Sequence, residues 1–136
     1  LVAEVIRPAV ERGAWVVSDR YVLANIVYQG HAGGLDPVAI RGVGGVATAG
    51  IMPDLVLVLD VDPETAARRL SRPLDKLESR GDDFRRRLGQ IAGPQPAAEI
   101  VAADPGCIRL IDATAAPDEV TARIRDAVTA AFPELG

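Results

Sequence analysis

Ser18-Asp19-Arg20-Tyr21 closes a short apolar run, Ala14-Trp15-Val16-Val17, and Asn25 and Tyr28 follow within a few residues. An acid and a guanidinium at a strand end, with an amide and a phenol close by, suit an anionic small molecule that also hydrogen-bonds. Helical winding over 21–29 would bring Tyr21, Asn25 and Tyr28 to one face, at i, i+4 and i+7. The same residues also have a purely structural reading: a buried Asp19–Arg20 ion pair, with Tyr21 as a core aromatic. Residue type and spacing alone leave both open.

A second constellation is cationic. Between Arg68 and Arg87 eight cations (Arg68, Arg69, Arg72, Lys76, Arg80, Arg85, Arg86, Arg87) stand against four acids (Asp75, Glu78, Asp82, Asp83). That window is therefore basic in a chain whose net charge is −4. One reading is a solvated helical face with i, i+4 pairs. The other is a cationic flap over phosphates, with Arg69 and Arg72 three apart on one face and Pro73 freeing the residues after it. Guanidinium forks match phosphate oxygens two at a time, as phosphoryl transfer requires. The single histidine, His31, lies in a glycine-rich loop and reads as a surface residue.

These residues need a scaffold, and the pattern supplies one. Residues 1–12 carry Val2, Val5, Ile6, Ala9 and Val10 at helical spacing, stopped by Gly13. Residues 14–17 are apolar on both faces, as a strand buried in a parallel sheet would be. Asp36-Pro37 gives the cap and first residue of a helix reaching 49, weakened by Gly42, Gly44 and Gly45. Leu55-Val56-Leu57-Val58-Leu59 is the clearest strand. Asp62-Pro63-Glu64 then repeats the cap-and-proline signal for a helix to 70. A third strand covers 108–111, and Pro117-Asp118-Glu119 opens a last helix with Val120, Ile124, Val128 and Phe132 along one side. Strands alternating with helices indicate an α/β domain with a parallel sheet.

Composition narrows the function classes. The chain has 136 residues, 49% hydrophobic and 25% charged. That fits one soluble domain and argues against whole-chain disorder. Cys107 is the sole cysteine, which forbids an internal disulfide and suits a reducing compartment. No apolar run approaches the ~20 residues of a membrane span, and no secretion signal is expected. A pI near 4.9 argues against a general nucleic-acid binder. The sequence starts in mid-helix and has Met52 as its only methionine. An N-terminally incomplete sequence is the expectation.

Taken together, several motifs resemble bacterial thymidylate kinases. They are Ser18-Asp19-Arg20-Tyr21, Tyr28-Gln29-Gly30, Pro53-Asp54-Leu55 and Leu59-Asp60-Val61-Asp62-Pro63-Glu64, then Arg69, Asp75, Glu78, Phe84 with Arg87, and Ile111-Asp112-Ala113. The likeness runs from Val5 to about Phe132, and its specificity lies in the combination. It implies a three-layer α/β P-loop nucleoside-monophosphate-kinase fold with a parallel sheet, here missing its N-terminal strands. The sequence would then be a single, partial domain with a flap around 69–80. The implied reaction passes the γ-phosphoryl of ATP to dTMP, with Mg2+, giving dTDP. By the same resemblance Arg20 grips the dTMP phosphate and Asp19 lies beside the magnesium and phosphates. Asn25 meets the thymine ring, and Tyr28 packs on the deoxyribose with Gln29 nearby. Arg69 and Arg72 serve the transferring phosphoryl group, while Asp75, Lys76 and Glu78 organise the flap. The implied setting is cytoplasmic, with dTMP and ATP as partners, no nucleic acid or membrane, and a homodimer as the family's common state.

The departures are as informative. No G-x-x-x-x-G-K-[ST] occurs, since the only lysine is Lys76 in Leu-Asp-Lys-Leu. Lys76 stands where the family usually has arginine, and Ala24 where it has a hydroxyl residue. The flap is about two residues short by comparison with the family, and 89–96 interrupts a usual helix. The resemblance implies a P-loop strand between the strands at 14–18 and 55–60. Without it, unpaired backbone groups at ~1–3 kcal/mol each would weigh against a total of only ~5–15 kcal/mol. The 136 residues alone are therefore expected to be unstable or molten, and inactive. The rivals are another nucleoside or nucleoside-monophosphate kinase, and a non-catalytic nucleotide-binding remnant. Relative binding of dTMP, dAMP and thymidine separates the first, and the sequence upstream of Leu1 the second.

Overall fold

Gly13, at φ +74°, ends the first helix where the sequence predicts a stop. That helix opens as a wide turn over Val2–Ile6, with Arg7 N–H bonded to Val2 O, and tightens into α1, Arg7–Glu11. The change of winding falls beside Pro8, whose missing N–H already breaks the ladder. The computed structural model describes residues 1–69 and 106–135. They form two compact units, Leu1–Met52 and Pro53–Gly136.

In the first unit α2, Val22–Asn25, runs straight into a second wide stretch, Ile26–His31, with Ala32 N–H reaching Val27 O. α3, Pro37–Ala47, starts as its sequence specifies: the Asp36 carboxylate accepts from Val38 N–H at 2.9 Å, and proline fills the first turn. Ile6, Val22, Ile26 and Ala32 are the buried apolar side chains. Gly44 is more than a weak point in α3. A Cβ there would lie 2.5 Å from Val22 Cγ1, so its missing side chain is what admits Val22. On the other side of α3, Val38, Val43 and Val46 are 76%, 67% and 84% exposed, so this helix is apolar both inside and out.

Residues 14–17 depart from expectation. They form no strand, and Trp15 and Val17 are 57% and 97% exposed. A strand is completed by its neighbour's hydrogen bonds, and the unit that holds this run contains no other strand. The apolar sequence is therefore present without the burial it was expected to have.

The second unit contains the sheet. β1, Val56–Asp60, pairs in parallel with β2, Ile108–Asp112, in a register that sets Val56 against Ile108 and Asp60 against Asp112. The Cys107 thiol donates to Pro53 O at 3.0 Å just ahead of that ladder. α4, Pro63–Arg69, is capped by Asp62, which accepts from Thr65 N–H at 2.8 Å. α5, Pro117–Ala131, begins with proline and carries Asp118 and Glu119 at its positive end. Its apolar stripe, Val120, Ile124, Val128 and Phe132, is half-buried throughout. Ile108, Ile111 and Ala113 are the buried apolar side chains of this unit. Leu59 and Leu110 remain 53% and 41% exposed, so the pair is not covered on both faces as a central parallel sheet would be. Among the described residues no helix is long and apolar enough to cross a membrane.

Candidate active site

After the run at 14–17 the backbone bends at Asp19 and Arg20, and Arg20 enters the left-handed region at φ +68°. For a side-chain-bearing residue that conformation costs about 1–2 kcal/mol. The Ser18 hydroxyl donates to Arg20 O at 2.8 Å and holds the turn. The Arg20 guanidinium then lies over the Tyr28 ring, 5.0 Å from its centroid, a cation–π contact worth about 0.5–1 kcal/mol at an exposed site. Tyr28 belongs to the wide stretch Ile26–His31, and wide turns of this kind recur where a helix re-aims a side chain for function.

Tyr21 does not share that helical face. Its backbone is extended and precedes α2, and its hydroxyl donates to Ile51 O at 3.1 Å. With α2 only four residues long before the winding changes, the i, i+4, i+7 projection does not hold. The buried-ion-pair reading also fails: Asp19 and Arg20 are both exposed, and Arg20 is engaged by the ring instead. Asn25 and Gln29 are exposed on the helix, and His31 is at the surface as expected. Among the described residues no three His, Cys, Asp or Glu side chains are grouped to hold a metal. A lone exposed carboxylate such as Asp19 fits magnesium that arrives on nucleotide phosphates, because Mg2+ needs only one or two protein carboxylates beside them.

In the second unit Arg69, the last residue of α4, is tied to the loop after β2. Its guanidinium donates to Ala113 O at 2.6 Å and to Thr114 O and Ala115 O at 2.8 Å each. That loop is fixed from its other side by Asp112. The Asp112 carboxylate accepts from Thr114 N–H at 2.9 Å and from the Thr114 hydroxyl at 2.5 Å, and it pairs with Arg123 of α5 at 2.8 Å. The Thr114 hydroxyl, then its amide, and the Arg123 guanidinium hold the Asp112 pKa below its ordinary value. Hydrogen bonds from Thr65 do the same for Asp62 at the start of α4. Sequence reasoning placed Ser18 in a motif without giving it a role, and missed Thr114 and Arg123. The Asp-x-Thr spacing is a recognisable turn signal, whereas nothing local marks Arg123. Arg72, Asp75, Lys76 and Glu78, with the flap beyond Arg69 and the interruption at 89–96, lie outside the described residues.

Comparison with known proteins bears on these motifs. The family profile described as thymidylate kinase matches residues 1–124. The chain belongs to the thymidylate kinase family. Its relatives include the thymidylate kinase of Bifidobacterium longum (strain NCC 2705), 40% identical over 123 residues, covering 90% of this chain and 57% of that protein. The thymidylate kinase of Rhizorhabdus wittichii is 39% identical over 136 residues, covering 97% of the chain and 63% of that protein. That of Oleidesulfovibrio alaskensis is 36% identical over 135 residues, covering 96% and 64%. The chain thus spans about six-tenths of the length of the curated relatives it matches. Thymidylate kinases have the α/β P-loop nucleoside-monophosphate-kinase fold, and the parallel β1–β2 pair with α4 and α5 is the part of it described in the second unit.

Proposed function

We propose that this chain carries the acceptor-phosphate group and the flap base of a dTMP kinase. In the reaction an oxygen of the dTMP phosphate attacks the γ-phosphorus of ATP. The bond to the β,γ-bridging oxygen breaks, and dTDP and ADP result. Catalysis of this kind rests on positioning and on positive charge where negative charge spreads, with little need for a tuned acid or base. In the reading we favour, Arg20 grips the dTMP phosphate, Asn25 meets the base, and Tyr28 with Gln29 lies against the sugar. Asp19 would lie beside the Mg2+ and the phosphates, and Mg2+ would supply charge neutralisation to the ATP phosphates when bound. Arg69 and Arg72 serve the migrating group, and Asp75, Lys76 and Glu78 organise a flap over 69–80. A guanidinium with five N–H groups can hold three carbonyls and still offer an edge to an anion, so the loop-tying bonds of Arg69 are compatible with that role.

The single observation that carries this reading is Arg20. An exposed cation held in a costly backbone conformation, against an aromatic ring, is the arrangement of a binding group. The whole would be one domain, working as a cytoplasmic homodimer on dTMP and ATP. The acidic balance of the chain supports the absence of nucleic-acid partners. The γ-phosphate cradle and its lysine are not among these 136 residues, so turnover by them alone is not expected. Calorimetric titration of the chain with dTMP, thymidine and dAMP tests the assignment. dTMP should bind best, and tighter binding of dAMP or of free thymidine would reject it.

A further inference from the structure

Ser18 has so far been given no part in the acceptor site, and Tyr28 only one against the sugar, yet both also stand in a direct relation to Arg20. The Ser18 hydroxyl donates to the Arg20 carbonyl, two residues on, at 2.8 Å. That bond spans the turn in which Arg20, a residue with a side chain, stands at φ +68°. The Arg20 side chain leaves this turn and ends over the Tyr28 ring, at 5.0 Å. An arginine side chain on an exposed turn is free to occupy many rotamers, and ordering it costs entropy at each binding event. Here the backbone is fixed from behind by Ser18 and the head group from beneath by Tyr28.

We infer that Ser18 and Tyr28 are positioning residues that hold the Arg20 guanidinium ready for a phosphate monoester before any ligand arrives. The inference rests on the reading of Arg20 as the acceptor-phosphate ligand, but its geometry does not. The Tyr28 face neutralises no charge, so it orients the guanidinium while leaving its N–H edge to a dianion. A carboxylate in the same place would compete with the phosphate. Tyr28 then acts through its ring and not its hydroxyl, and Ser18 through its hydroxyl and not its size.

Those distinctions set the experiment. In the 136-residue chain at low temperature without ligand, the Arg20 Nε–H proton should resonate upfield of its random-coil position, shielded by the ring. The shift should persist in Ser18→Thr and Tyr28→Phe and collapse toward random coil in Ser18→Ala. A random-coil position in the unsubstituted chain, or an unchanged shift in Ser18→Ala, overturns the inference. The paired readout is the ratio of dTMP to thymidine affinity, which isolates the phosphate from base and sugar. Ser18→Ala and Tyr28→Leu should each lower that ratio about fivefold, while Ser18→Thr and Tyr28→Phe keep it. A lowered affinity for both ligands with the ratio unchanged would mean that these side chains only shape the pocket, and would also overturn the inference. If instead Arg20→Ala leaves the ratio unchanged, the assignment of Arg20 to the phosphate fails, and the proton shift still decides the geometry.

Discussion

Arg20 has a backbone that glycine would adopt freely, at φ +68°, and a side chain that glycine lacks. Arg20→Ala and Arg20→Gly both delete the guanidinium and its contact with Tyr28, so their difference reports the backbone alone. We expect Arg20→Gly to be about 1 kcal/mol more stable than Arg20→Ala in urea melts, the reverse of their order in a helix. Equal stabilities would show that no strain is stored at this turn. Acid sensitivity is a second residue-scale property. Asp62 and Asp112 both have pKa values held below the ordinary 3.8, by Thr65 in one case and by Thr114 with Arg123 in the other. A carboxylate lowered in the folded state stabilises it above the unfolded pKa, and that contribution drains away as pH falls through the folded value. Melting temperature should therefore drop as pH is taken from about 5 to below 3. Asp112→Asn should be less stable at neutral pH and show a shallower drop. A slope as steep as that of the unsubstituted chain would remove Asp112 from the account.

At the scale of elements, the glycines of α3 divide into two kinds. A Cβ on Gly42 meets nothing within 4 Å, while one on Gly44 would meet the stiff Val22 side chain at 2.5 Å. Gly42→Ala should raise stability by about 0.5–1 kcal/mol through helix propensity. Gly44→Ala gains the same propensity but overpacks a buried contact at about 1–3 kcal/mol, so the net effect is a loss. Thermal melts of the two variants should move in opposite directions, and a rise in both would mean that α2 and α3 separate at no cost. The sequence reads both positions as equal weaknesses, because propensity is local and Val22 is twenty-two residues away. Arg69 repeats the lesson: its charge and place at the head of the cationic window are legible, but its hold on three carbonyls 44 to 46 residues on is not.

At the scale of the molecule, no large side chain among the described residues is fully buried, and Val17, Val46 and Leu1 are 97%, 84% and 77% exposed. So little deep burial leaves a small margin over conformational entropy. The 136-residue chain should melt broadly and at low temperature, bind the dye ANS while still folded, and be stabilised by saturating dTMP through mass action. A sharp, high melt without dye binding would contradict this. The sequence by itself determined the family motifs, the Asp36 and Asp62 caps, the Gly13 stop and the two strands that pair. Caps, stops and periodicity act between residues a turn or two apart, where chain geometry leaves few alternatives. Tertiary structure alone decided that residues 14–17 form no strand, that Arg20 rests on Tyr28, that Gly44 makes room for Val22 and that Arg69 secures the loop after β2. Each of these depends on which distant segments meet, and contacts of that range are set by closing the chain and filling its core rather than by any residue's preference.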